Sequence, residues 1–408
     1  MHAKLAILST VISLAGSAYA WGADGHQAVG FIADSLLKPE TKAVRDFLLP
    51  SGWNFTRSAT WADEIKSDPT FKWASNLHFI DSHDVTPLDA NETNPVKCSV
   101  DLARDGENGV NVVDAIGNYT LRAADAAKYN WDARSEAVKF LSHFVGDITQ
   151  PLHACGKLLG GNQFFTTWEG NQTYVYNGRT SKFQLHVLWD VYIPQKDVNE
   201  NFGGNWVAYR QFLLDNIEKG EWAQEKDTWL QCNPTTSPTG NPDQCPLDWA
   251  TDSNEFNCGV VWDKALLAGT GTSTANDLAG EYYQKTYPIV RKQIAKGGYR
   301  LAKFMDIILA GQPASNSTTT TSIATTTQSA TATSGTTSSI ATTTQPAEHT
   351  SCSTTSTITV TVDPTETATP SYPKPTTSPT PIYSAASPLK AVSSILFAVV
   401  AAAGVAIF

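Results

Sequence analysis

A mainly α-helical single domain followed by an unfolded Ser/Thr-rich stalk is what this 408-residue sequence predicts. Three observations carry that reading. Apolar residues recur at three- and four-residue steps through several segments, strand signals are few, and the composition changes abruptly after Gln312.

The elements follow in chain order. Residues 1–20 combine Lys4, an apolar run from Leu5 to Ala15 and the stretch Ala18-Tyr19-Ala20, and read as a secretory signal peptide. Cleavage after Ala20 would leave Trp21 with a free α-amine. The spacing of apolar residues predicts helices at His26–Leu37, Thr41–Leu48, Val112–Ala127, Ser135–Ile148 and Gly280–Leu309. In the last, Tyr283, Ile289, Val290, Ile294, Leu301, Phe304, Ile307 and Ile308 recur at three- and four-residue steps with polar residues between, while Lys292, Lys296 and Arg300 are expected on a solvated face. Gln172–Tyr176 is the best strand candidate. Trp73, Trp168 and Trp189 read as core or helix-packing residues. The folded part, residues 21–312, is at about the upper size for one domain with one core.

Residues 313–385 are dominated by Thr, Ser, Ala and Pro, and SIATTTQ occurs at 322 and again at 339. Few large apolar groups are available to bury, so this segment reads as an O-glycosylated stalk. In residues 386–408 an apolar run reaches the last residue, behind the small residues Ser384-Ala385-Ala386. That arrangement matches a GPI-attachment signal, with Ser384 as the expected attachment residue. A single-span anchor is the alternative, but it usually keeps cationic residues behind the span, and none follow here.

An exported chain suits the rest of the composition. Asn54, Asn91, Asn118, Asn171 and Asn316 each begin an N-x-S/T triplet, and six cysteines make disulfides an expectation. The net charge of −10 argues against a protein that binds nucleic acid through a broad basic surface. If the substrate is a polyanion, positive charge must come from elsewhere.

The eight histidines supply the candidate. SHFVGDITQPLH places His143 and Asp147 four residues apart on one helix face, with Pro151 ending the helix before His153. QLHVLWD repeats the spacing with His186 and Asp190. TWADEIK adds Asp63, and NLHFID adds His78 and Asp81. Trp21 can chelate through its amine and first carbonyl, with His26 closing that site. Imidazole nitrogens and carboxylate oxygens suit zinc. The nine groups Trp21, His26, Asp63, His78, His143, Asp147, His153, His186 and Asp190, with one carboxylate bridging, fit three zinc ions with open positions. Three dications would also supply the charge that an acidic chain lacks. His83, in a polar loop, is not expected among the ligands.

These residues resemble the zinc-dependent type I nucleases of fungi and plants. The resemblance runs through the W-G-x-x-G-H start at Trp21, WAD at 61, HFID at 78, the HxxxDxxxPLH run from His143, GGN at 160, LHxxWD at 185, GEYY at 280 and GYRLA at 298. It implies a mainly helical domain with a trinuclear zinc cleft that hydrolyses single-stranded DNA and RNA to 5′-mononucleotides and has 3′-nucleotidase activity. It assigns Asp63, His78, His143 and Asp147 to one zinc, Trp21, His26 and the bridging Asp147 to a second, and His153, His186 and Asp190 to the third. Asp63 would orient the attacking water and Lys66 would steady transition-state charge. Phe79 and Asp81 would hold the base, with Asn162 lining the same cleft.

The resemblance also implies a Cys98–Cys258 bridge. Cys232 and Cys245 flank a Pro/Gly-rich loop and are placed to pair locally. Cys155 is expected as a buried thiol, and Cys352 is left in the stalk. Four departures stand out: Thr149 replaces an additional histidine, about ten residues are added before His186, a shorter insertion follows Asp81, and Gly106 and Asn111 replace two cysteines. Both insertions are expected to reshape the cleft rim.

Two other functions fit some of these features. A zinc phospholipase C shares the N-terminal tryptophan ligand and the three-zinc site, but HFID and the final carboxylate Asp190 favour a nuclease. A non-catalytic surface glycoprotein would not need all nine ligands intact. A monomer is expected, acting on single-stranded nucleic acid and 3′-nucleotides and held at the membrane by its lipid.

Overall fold

The structure, a computed structural model, describes residues 21–83, 98–106, 109–176, 178–230, 232, 234, 240–263, 266 and 277–314. The signal peptide, Asn91, most of the insertion after Asp81, Asn316, Cys352, the stalk, Ser384 and the apolar C-terminal run lie outside the described residues.

Helices dominate, as the periodicity predicts. In order they are α1 (Ala23–Leu36), α2 (Pro39–Leu48), α3 (Phe55–Ser58), α4 (Trp61–Ile65), α5 (Leu102–Asp105), α6 (Val112–Ala124) and α7 (Trp131–Asp147). After a two-stranded hairpin come α8 (Leu185–Val187), α9 (Ile193–Phe202), α10 (Trp206–Glu218), α11 (Gln244–Asn254) and α12 (Glu281–Ile308). Among the described residues no helix is long and apolar enough to cross a membrane.

Local chemistry starts several of these helices. Pro39 occupies the first turn of α2, where its missing N–H costs nothing. Asn54, Asn111, Asn130 and Asn205 cap α3, α6, α7 and α10 by accepting from backbone amides in the first turn. Asn111 also donates through Nδ2 to the Gly106 carbonyl at 2.9 Å. A hydrogen bond therefore ties together the two positions where the resemblance expects cysteines.

The core forms where α1 is enclosed. A Cβ on Gly30 would sit 2.3 Å from the Phe55 carbonyl oxygen, and one on Gly298 would sit 2.5 Å from Ile32 Cβ. Only glycine lets α1 lie this close to α3 on one side and α12 on the other. Trp21, Val29, Ile32, Phe140, Phe144, Trp189 and Phe304 fill the buried interior. Fixing α1 against α7 and α12 is what positions the site described below.

The expected strand is Thr173–Tyr176 (β1), paired antiparallel with Arg179–Lys182 (β2) in the register Thr173↔Lys182 to Tyr176↔Arg179. Both bridges are present: Cys98–Cys258 and Cys232–Cys245, with Cα–Cα distances of 5.6 and 5.2 Å. Cys155 is a buried thiol. Asn54, Asn118 and Asn171 are exposed, as a glycan acceptor must be.

Two expectations are corrected. The basic run on α12 is not a solvated face: Arg300 is fully buried and Lys296 nearly so. Asp252 of α11 accounts for this, holding Lys296 Nζ at 2.8 Å and Arg300 Nη2 at 2.7 Å. Arg300 Nε also donates to the Trp229 carbonyl. Removing one partner of such a cluster leaves buried charge uncompensated, so Asp252→Ala should lower unfolding stability by about 3 kcal/mol, read from a denaturant titration. A change under about 1 kcal/mol would show that the cluster is not a buried ionic unit. The second correction is Trp73, which is 44% exposed and lies beside Phe71 and Phe140, whereas Trp168 and Trp189 are buried as expected.

Candidate metal centre

The ligand candidates reach one place from several elements. His143 and Asp147 lie on the last turns of α7, both fully buried. His26 comes from α1, Asp63 from α4, and His78 from the end of the 3₁₀ segment Lys72–His78. His153 sits in the 3₁₀ turn that Pro151 starts as α7 ends. His186 belongs to α8, and Asp190 to a π-helical turn, Leu188–Tyr192, a form often found at functional sites.

Asp147 is the hub. Its Oδ1 lies 3.2 Å from His26 Nε2, and its Oδ2 lies 2.9 Å from His78 Nδ1 and 3.2 Å from His143 Nε2. One carboxylate thus faces one imidazole with one oxygen and two with the other, as a bridging ligand would. Asp63 Oδ1 lies 3.6 Å from His143 Nε2 and 2.6 Å from Lys66 Nζ. The third group is separate: His186 Nε2 lies 3.2 Å from Asp190 Oδ2, and the His153 and His186 rings are 5.0 Å apart. Ligand atoms of His26/Asp63/His143, of His78/His143/Asp147 and of His153/His186/Asp190 each fall within 4.8 Å of one another and could hold a metal ion.

Outer contacts fix how the imidazoles present themselves. Nδ1 of His143, His153 and His186 meets the carbonyls of Ala59, His78 and Gly160. With Nδ1–H donated outward, Nε2 keeps a lone pair directed into the group, the arrangement a metal-binding histidine needs. Nε2 of His26, His153 and His186 and Oδ1 of Asp147 are buried without a hydrogen-bond partner, a condition that costs free energy unless a cation satisfies them. The donor set of nitrogens and carboxylate oxygens therefore fits zinc chemically.

The electrostatics divide the imidazoles: burial lowers His26, whereas at His143 burial is outweighed by Asp147 and Asp63, and at His186 by Asp190, so both are raised. Burial depresses His78 to about 3 and His153 to about 4, so both are neutral and able to bind a metal. Burial would raise Asp63, but Lys66 and the neighbouring imidazoles override it and hold the carboxyl at about 2. Asp147 is likewise held well below the usual carboxylate range, against burial, by His143 and His78.

Trp21 is buried at the head of α1, its indole Nε1 donating to Thr149 Oγ1 at 3.0 Å. The next residue, Gly22, donates its N–H to the Asp190 carbonyl at 2.8 Å, which ties this end of the chain to the third group. Thr149 stands at the first departure noted above, and its work here is to hold Trp21. Phe79 and Asp81 line a cavity of about 100 Å³ with Asn76, Ile80, Asp105, Val110 and Asn111. Asn162 does not line it; its amide turns back to the Leu159 carbonyl at 2.9 Å. His83 is exposed and lies 3.6 Å from Asp105, outside the groups.

Some supporting residues escape sequence reasoning. Gln150 donates to Asp190 Oδ1 at 2.7 Å and orients it. Leu158 to Gly161 are four consecutive left-handed residues, with φ of 49°, 53°, 58° and 80°. This turn delivers the Gly160 carbonyl to His186. The GGN glycines are the only local signal of it.

Comparison with known proteins places this geometry. A family profile described as S1/P1 Nuclease matches residues 21–310. The chain is 33% identical over 291 residues to Nuclease PA3 of a Penicillium species, covering 71% of this chain and 97% of that one. It is equally similar, over the same shares, to Nuclease P1 of Penicillium citrinum. It is 32% identical over 315 residues to Nuclease S1 of Aspergillus oryzae, covering 77% and 100%. These matches favour a nuclease over a phospholipase C or a non-catalytic glycoprotein. With its histidines and carboxylates converging on Asp147, the chain belongs to the S1/P1 nuclease family and is a hydrolytic nuclease.

Proposed function

We propose that the chain is an exported, zinc-dependent endonuclease that cleaves single-stranded DNA and RNA to 5′-mononucleotides and acts as a 3′-nucleotidase. The observation that carries this reading is the buried Asp147 hub with three imidazoles around one carboxylate. Asp63, His78, His143 and Asp147 would hold one zinc; the Trp21 amine and carbonyl, His26 and Asp147 a second; His153, His186 and Asp190 a third. Zinc bound there supplies Lewis acidity toward phosphoryl oxygens and concentrated positive charge.

The chain's own residues do the rest. Asp63, ionised beside Lys66, can orient the attacking water by accepting its hydrogen bond. The Lys66 ammonium faces the same space and counters the charge that develops on the phosphoryl group. Phe79 presents a ring for a base and Asp81 a carboxylate for the base edge. Only an unpaired base can stack there, which gives a single-strand preference of about 1–3 kcal/mol.

In the full chain, residues 1–20 would be removed, 21–312 would form the nuclease, and 313–385 a glycosylated stalk. Transamidation at Ser384 would exchange the residues after it, with the apolar signal 386–408, for a GPI lipid and leave a surface-held monomer. The test is a product assay on processed protein with single-stranded DNA, duplex DNA and phosphatidylcholine. Release of 5′-mononucleotides from the single strand, with duplex cut far more slowly, is expected. Hydrolysis of the lipid alone would overturn the proposal.

A further inference from the structure

The β1–β2 hairpin is rooted beside the His153/His186/Asp190 group and reaches away from it. Its second strand runs on through Phe183, Gln184 and Leu185 directly into His186, and Gln184 forms an antiparallel bridge with Phe165. At the hairpin's base the half-buried Tyr174 ring lies 5.2 Å from Phe183 and 5.6 Å from Tyr192. Tyr192 closes the π-helical turn that carries Asp190.

Side chains alternate across a strand pair, so the register puts Tyr174, Tyr176, Arg179 and Ser181 on one face. Two residues along a strand span about 6.7 Å, so Tyr176 and its cross-strand neighbour Arg179 continue outward from Tyr174. Tyr176 is 52% exposed and Arg179 is exposed. On the opposite face Lys182 Nζ lies 5.5 Å from the centre of the exposed Phe165 ring. Elsewhere the long cations Lys196, Arg291, Lys292 and Lys296 are ion-paired with carboxylates, in a chain of net charge −10. The hairpin therefore sets exposed rings and exposed cations side by side in an acidic chain. It fits an extended polyanion that carries flat bases: the cation meets phosphate and the ring stacks. The strand that carries Arg179 runs on along the chain to His186, which ties this face to the His153/His186/Asp190 group.

We propose that the Tyr176/Arg179 face of the hairpin is an auxiliary subsite for nucleotides of a single-stranded polynucleotide that extend beyond the scissile phosphate. This rests on the nuclease reading above and adds a determinant of substrate length. A mononucleotide is too short to reach the hairpin, whereas a long strand lies across it.

The test is steady-state kinetics of Tyr176→Ala/Arg179→Ala and of the unaltered protein on a 3′-mononucleotide and on a long single-stranded oligonucleotide. The double variant should raise KM for the oligonucleotide about tenfold, leave its kcat in place and leave both mononucleotide constants unchanged. Tyr176→Phe should restore most of the affinity that the ring supplies. Arg179→Ala alone should flatten the rise of KM with salt. An unchanged oligonucleotide KM would overturn the inference, and so would equal losses on both substrates. If the unaltered protein turns over neither substrate, the nuclease proposal itself falls and this inference goes with it.

Discussion

Asp147→Asn is expected to cut turnover of single-stranded DNA by roughly a thousandfold or more, the equivalent of about 4 kcal/mol of transition-state stabilisation. The substitution keeps the side-chain volume, so packing in α7 is little disturbed. What changes is charge and donor capacity. Asp147 offers Oδ1 to His26 and Oδ2 to His78 and His143, all at 2.9–3.2 Å. An amide carries no charge and replaces one of those acceptors with a donor, which faces an imidazole lone pair. Two of the proposed zinc positions would lose a ligand at once, so metal content should fall together with kcat. Turnover within about tenfold of the unaltered protein, with metal content intact, would show that Asp147 does not bridge.

Lys66→Ala should act differently. The ammonium lies 2.6 Å from Asp63 and is largely covered, so it is held rather than free to swing. A preorganised cation aimed at developing phosphoryl charge is worth about a hundredfold or more in kcat, by analogy with loss of a single oxyanion donor. Nucleotide affinity should change much less, because the ground-state contact is weaker than the transition-state one. Lys66→Arg should recover part of the rate. The measurement is kcat and KM on a single-stranded oligonucleotide for all three proteins. A variant that loses affinity while keeping kcat would move Lys66 from the chemistry to simple binding.

The legible part of the site was the part carried by local geometry. His143 and Asp147, and His186 and Asp190, sit four residues apart, and a helix turns that spacing into proximity without tertiary information. The stripe on α12 is legible for the same reason except at Ile307, which is 41% exposed, while α1 starts at Ala23, three residues before the expected His26. Residues whose partners lie on distant elements were not legible. Lys296 and Arg300 look like a solvated face until Asp252 arrives from α11 to hold them. Thr149 reads as tuning of a motif position, and nothing local shows that Trp21 is bonded to it. The second strand, RTSK, is exposed at every position and has no alternation to betray it. Asn162 is read from the motif alone, and its amide donates to the Leu159 carbonyl of its own turn.

The central claim is that export trimming exposes the Trp21 amine and so completes a cluster of three metals. Metal analysis by inductively coupled plasma mass spectrometry, on purified protein whose N-terminus has been sequenced as Trp21, tests it most directly. Three zinc ions per chain are predicted, with one fewer when a single residue is added before Trp21. A correctly trimmed sample holding no more than one tightly bound metal, or one whose metal content ignores the added residue, would contradict the account.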